Sequence, residues 1–103
     1  MSAISERIER FIDTLEWGDE ELEYKLSKIL ENEFRRRLNR YLLTDRLLRK
    51  KYHMSFAEFR DKEQVKKENY SFEAETDFCD WEMAITGIKC LREDLAELLG
   101  KEE

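Results

Sequence analysis

The chain has 103 residues, of which 43% are charged and 41% hydrophobic, with three Gly, two Cys and no Pro. That length holds one small domain, and with no Pro and so few Gly it cannot supply the many tight turns of a β-sandwich or barrel. No apolar run approaches the roughly 18 residues of a membrane span, no signal-peptide pattern opens the chain, and two Cys make neither a disulfide framework nor a zinc site, so a cytoplasmic setting is expected.

The expectation is an all-α fold: one helical domain over residues 1–103, with helices at about 2–16, 19–52, 56–66 and 71–99. In the first, Ile4, Ile8, Phe11, Ile12 and Leu15 share one face, Ser2 is placed to cap the start, and Trp17-Gly18 ends it with Gly left-handed. Asp19 then caps a second helix whose first turn holds Glu20, Glu21 and Glu23, the sign that the helix dipole favours. Nothing interrupts this helix before Tyr52, giving a rod of roughly 50 Å that needs something laid along it. Ser55 and Glu58 form a capping box for a short helix carrying Phe56 and Phe59, followed by a polar stretch from Lys62 to Asn69.

Tyr70-Ser71 opens the last helix, which runs to Leu99 and stops at Gly100. Trp81, Ala84, Ile88, Leu91, Leu95 and Leu98 keep heptad spacing there, widened by Phe78, Ile85 and Leu99. This stripe is expected to pack on Leu26, Leu30, Phe34, Leu38, Tyr41, Leu48 and Tyr52 of the second helix. The result is a long, coiled-coil-like antiparallel hairpin, with the first and third helices covering its ends. Gly87 lies inside the last helix at a cost of about 1 kcal/mol relative to Ala, which points to close helix approach.

Apolar residues remain beyond these stripes. Cys79, Met83, Thr86 and Cys90 recur at i, i+4, i+7, i+11 on the other side of the last helix, and Leu43 and Leu47 form an i, i+4 pair on the far side of the second. One chain of this size cannot cover both faces of both long helices. The surplus therefore predicts a homodimer or a tight complex with another protein, with those six residues at the seam. Cys79 and Cys90 lie about 16 Å apart along the axis, too far to join to each other, and are expected as buried structural thiols.

Charge is distributed in blocks within a net of −6: residues 1–33 carry −6, residues 34–51 carry +7 and residues 52–103 carry −7. The basic block contains Arg35, Arg36, Arg40, Arg46 and Lys50, a patch for an acidic partner or for the chain's own acidic neighbours. A nucleic-acid regulator using the Arg-rich segment 35–51 is the alternative. A more remote one is a Mg²⁺-dependent all-α nucleotide pyrophosphohydrolase, from the carboxylate pairs Glu20/Glu23 and Glu58/Asp61; Glu73, Asp77 and Asp80 share another face. The lone His53 cannot build a His-based metal site and reads as a helix C-terminal cap. No Gly-rich phosphate loop, nucleophile elbow or cofactor motif is present, so no catalytic residue, metal or cofactor is expected and the chain reads as non-enzymatic.

The stretch Lys51-Tyr52-His53-Met54-Ser55-Phe56-Ala57-Glu58-Phe59 resembles a K-Y-G-M-S-x-E-E-F signature. With Tyr70-Ser71-Phe72-Glu73-Ala74-Glu75 and Asp80-Trp81-Glu82, it is similar to a group of small all-helical prokaryotic and archaeal proteins over roughly residues 36–99. Members of that group are often encoded beside a compact toxin-like protein and are regarded as antitoxin-like. The resemblance implies binding and neutralising a small toxin partner. His53 stands where the signature has Gly.

Overall fold

A computed structural model describes residues 5–100, and among them every regular element is a helix: α1 (Glu6–Thr14), α2 (Asp19–Tyr52), α3 (Phe56–Asp61), α4 (Gln64–Lys67) and α5 (Phe72–Leu98). The all-α expectation holds. Residues 5–30 and 31–100 form two compact units.

In the first unit, Ser5 caps α1, its hydroxyl accepting from the Ile8 N–H at 3.3 Å; the Ser2 cap expected from the sequence lies outside the described residues. The helix ends without Gly: Glu16 takes the left-handed conformation, at φ 55°, while Gly18 does not. Asp19 is the first helical residue of α2 rather than its cap, and the Gly18 carbonyl accepts from the Leu22 N–H at 2.9 Å. None of the α1 residues is buried, and Ile8, Phe11 and Leu15 are exposed, as are Leu26 and Leu30 of α2. The buried stripe of α2 starts later than its spacing predicts.

The second unit holds the core. Leu48, Phe56, Phe59 and Trp81 form a buried cluster, with Tyr52, Met54, Val65, Phe78 and Ile85 packed against it. Trp81 and Phe59 are 0% exposed, with ring centroids 5.2 Å apart. Phe56 lies 5.6 Å from Trp81, and Tyr52 meets Phe59 edge-on at 4.7 Å. Aromatic contacts of this geometry contribute beyond their buried area. The short α3 thus supplies two of the four central side chains, held by the Ser55–Glu58 capping box that the sequence predicts. The helix expected at 56–66 is broken in two, because Glu63 turns left-handed (φ 50°) between α3 and α4.

The direction of α5 against α2 follows from the side chains that join them. Lys51 reaches Glu73 and Asp77, Asp45 reaches Trp81, and Tyr41 lies over Gly87. Positions fall along α2 as they rise along α5, so the two helices are antiparallel, the hairpin expected. Ala74, Trp81, Ala84, Ile88, Leu91 and Leu95 are the buried face of α5. Opposite them Phe34, Leu38, Tyr41 and Tyr52 are half-buried and Leu48 buried.

Four polar contacts fix the register. The Trp81 indole N–H donates to Asp45 Oδ1 at 2.9 Å, which pins the largest core side chain to α2. The Tyr52 hydroxyl donates to Asp77 at 2.6 Å, and Lys51 bonds Asp77 at 2.7 Å and Glu73 at 2.5 Å. At Gly87 a Cβ would intrude on the ring of Tyr41, so this glycine lets α2 and α5 approach closely.

Candidate protein interface

The buried positions of α5 fix what its opposite face carries. At about 100° per residue, Phe72, Thr76, Cys79, Met83, Thr86 and Cys90 fall on the side away from the core stripe. Their spacing alternates four and three, which is the a/d pattern of a helix seam. All six are exposed: Phe72 is 85% and Met83 61% accessible, and both cysteines are free and exposed. The buried thiols expected from the sequence are thus corrected. The helix places both cysteines opposite the stripe that packs on α2, and nothing else in the second unit covers them.

This outer row is uncharged for about 27 Å along the axis. It ends where its next positions become Glu93 and Glu97. Ser71 sets the start of α5 by accepting from the Ala74 N–H at 3.1 Å, and Trp81–Asp45 fixes the rotation of the helix. Beside the row, Val65, Tyr70, Glu75, Phe78 and Cys79 line an open apolar depression between α4 and α5. Acids flank the row: Glu73 and Asp80 on one side, Glu75 and Glu82 on the other.

Phe72 and Thr76 are the members that sequence reading passed over. The signal was present, since Phe72 stands seven residues before Cys79 and Thr76 seven before Met83.

The other two residues of the expected seam, Leu43 and Leu47, are exposed on the side of α2 away from α5, Leu47 at 57%. They do not join the α5 row within one chain; each helix presents its own outer face.

The basic block is largely engaged within the chain. Arg35 pairs with Glu31 at 2.9 Å, Arg36 and Arg37 share Glu33 at 2.7 Å each, and Arg49 reaches Asp45 at 3.4 Å. The guanidinium groups of Arg36 and then Arg37 hold the Glu33 carboxyl below its usual range. Lys51 binds the two acids of α5, first Asp77 and then Glu73, which push its ammonium pKa above its usual value. Burial, and then donation to Asp77, raises the Tyr52 hydroxyl to about 12. Among the described residues Arg40, Arg46 and Lys50 make no ion pair, and all three are exposed. The sequence-predicted patch is therefore divided: Arg35 and Arg36 are committed to their own helix, while Arg40, Arg46 and Lys50 flank Leu43 and Leu47.

The carboxylate pairs have other partners or other positions. Glu58 caps α3 by accepting from the Ser55 N–H, which with Lys62 lowers its pKa, and Asp61 pairs with Arg60. Glu73 and Asp77 bind Lys51. No group of three or more His, Cys, Asp and Glu among the described residues is placed to hold a metal ion. His53 occupies the end of α2 in the left-handed conformation (φ 57°), its N–H donating to the Arg49 carbonyl at 2.8 Å. That is a C-terminal cap, at a position that Gly commonly fills.

No helix among the described residues is long and apolar enough to cross a membrane. Comparison with protein-family models, with curated proteins and with solved structures finds no match.

Proposed function

We propose that this chain is a non-enzymatic protein–protein interaction module that associates with a second copy and has an antitoxin-like role, binding and neutralising a small partner protein. The observation that carries the reading is the outer row of α5: six uncharged, exposed side chains at seam spacing, with an apolar depression beside it. An uncharged face of that length on a chain that is 43% charged is costly to leave in water and is the kind of surface that binding sites use. The antitoxin-like part rests on the resemblance around Lys51–Phe59, Tyr70–Glu75 and Asp80–Glu82. Engagement of five of the eight bases of segment 34–51 by acids of the same chain supports a protein partner over a phosphate backbone.

The test is co-expression with the product of the adjacent gene. The reading predicts a complex that survives purification and relief of any growth defect the neighbour causes, both lost with Met83→Lys. A neighbour that neither binds nor is neutralised overturns the antitoxin-like role.

A further inference from the structure

We infer that the outer row of α5 receives the Leu43/Leu47 face of α2 from a second copy of this chain, so that the two faces of one hairpin are the two halves of one contact. The inference rests on reading α5 as a binding face and names its occupant.

The argument is charge complementarity. The α5 row is flanked by Glu75, Asp80 and Glu82, which are exposed and make no ion pair among the described residues. Leu43 and Leu47 are flanked by Arg40, Arg46 and Lys50, equally exposed and equally without one. Beside the α5 row one base, Lys89, is also exposed and without an ion pair among the described residues, so that flank carries more acid than base. The acids and the bases also match in extent. Arg40 to Lys50 spans about 15 Å of helix and Glu75 to Glu82 about 11 Å, within reach of side chains as long as Arg and Lys.

Charge also selects how the copies meet. Pairing α5 with α5 in parallel brings Glu75, Asp80 and Glu82 against their own counterparts, and antiparallel it lets Glu75 meet Lys89 but sets Glu82 against Glu82. Pairing α2 with α2 in parallel sets Arg40, Arg46 and Lys50 against their own counterparts. Flanking charges of this kind decide partner and orientation in helix seams. Only α2 on α5 gives each of the acids Glu75, Asp80 and Glu82 a base to meet, with Lys89 lying beyond them toward the C-terminal end of the row. Leu43 and Leu47 then supply the bulky apolar side chains that the α5 row, with its Thr and Cys positions, has room to receive. A contact between two different faces is heterologous, so each copy offers one half and accepts the other.

Light scattering on the full chain, in reductant so that Cys79 and Cys90 stay thiols, tests this with Leu47→Glu and Met83→Lys. Both positions are exposed, and circular dichroism confirms that each variant is folded. Wild type is expected to associate with rising concentration and to weaken as salt screens the flanking charges. Each variant is expected to weaken association at least about tenfold, about 1.4 kcal/mol. Mixing the two variants is decisive. The Met83→Lys copy keeps an intact α2 face and the Leu47→Glu copy an intact α5 row, so the mixture regains a pair that neither forms alone. A wild type that remains monomeric at about 1 mM, roughly 4.1 kcal/mol of binding, overturns the second copy as occupant. In that case capture of the adjacent gene product, abolished by Met83→Lys, leaves α5 as the binding face. A mixture no heavier than its parts, from a wild type that associates, overturns the heterologous contact.

Discussion

Gly87→Ala is the substitution for which helix propensity and packing disagree in sign. Gly87 lies inside a 27-residue helix, where Ala is better by about 1 kcal/mol. The structure places the Tyr41 ring where the new methyl would go, with Cδ2 only 2.6 Å from the Cβ position. Ordinary carbon contacts need roughly 3.5–4.0 Å, so ring and helix must separate by about 1 Å. The ring is half-buried against α5, so it is not free to swing out of the way. Overpacking of this kind costs about 1–3 kcal/mol. Set against the propensity gain, a net loss of about 1 kcal/mol is expected, which lowers Tm by roughly 4–8 °C in a domain of this size. Thermal and urea unfolding followed by circular dichroism measure it, with Tyr41→Ala and the double variant completing a cycle. The double variant should recover the propensity gain, because the methyl then meets no ring. A Gly87→Ala protein more stable than wild type by about 1 kcal/mol would refute the close approach of the two helices.

Three further outcomes follow from the same structure. Asp45→Ala removes the acceptor of the Trp81 indole N–H and should cost about 1–3 kcal/mol in urea unfolding, the penalty for leaving a donor unmet; an unchanged midpoint would show that this bond does not anchor α5. His53→Gly relieves a left-handed conformation that costs an L-residue about 1–2 kcal/mol, offset in part by the freedom Gly gains on unfolding, so a rise in stability of up to about 1 kcal/mol is expected and a clear loss contradicts it. Tyr52 holds its proton more tightly folded, up to about 12, than at its ordinary value of 10.0, so the stability it confers is complete below pH 10 and is lost as pH rises from there toward 12. Lys51, also raised, loses its contribution in the same direction above its ordinary 10.5. Tyr52→Phe should flatten part of the alkaline decline in urea midpoint between pH 9 and 11, and equal declines in both proteins would contradict the Tyr52–Asp77 bond.

How much of this was legible in the residues depends on whether a local rule decided the matter. The second helix had no breaker between Asp19 and Tyr52, the capping box at Ser55–Glu58 has a local chemistry, and the heptad run of α5 is a periodicity that only one face can satisfy. All three stand in the structure. The end of α1 was misread because Gly is the usual left-handed residue, while here Glu16 adopts that conformation two positions earlier. Likewise nothing local marks Glu63 as the break between α3 and α4. The cysteines were set on the far side of the last helix by their spacing and expected buried there, but in the single chain that side is exposed. For Leu26 and Leu30 spacing was a poor guide, since periodicity shows which face is apolar and not what covers it. The division of the basic block is tertiary in part: the i, i+3 and i, i+4 pairs of Arg35, Arg36, Arg37 and Arg49 are readable from spacing, whereas Lys51 on Glu73 and Asp77 needs the hairpin.

The central claim is that the outer face of α5 exists to be covered by protein. Its most direct test is the solution mass of the purified chain by light scattering, alone and after co-expression with the adjacent gene product. The account predicts a mass above that of one chain in at least one of the two samples, falling back to a single chain with Met83→Lys. A single chain at high concentration in both samples, unaffected by the substitution, would contradict it.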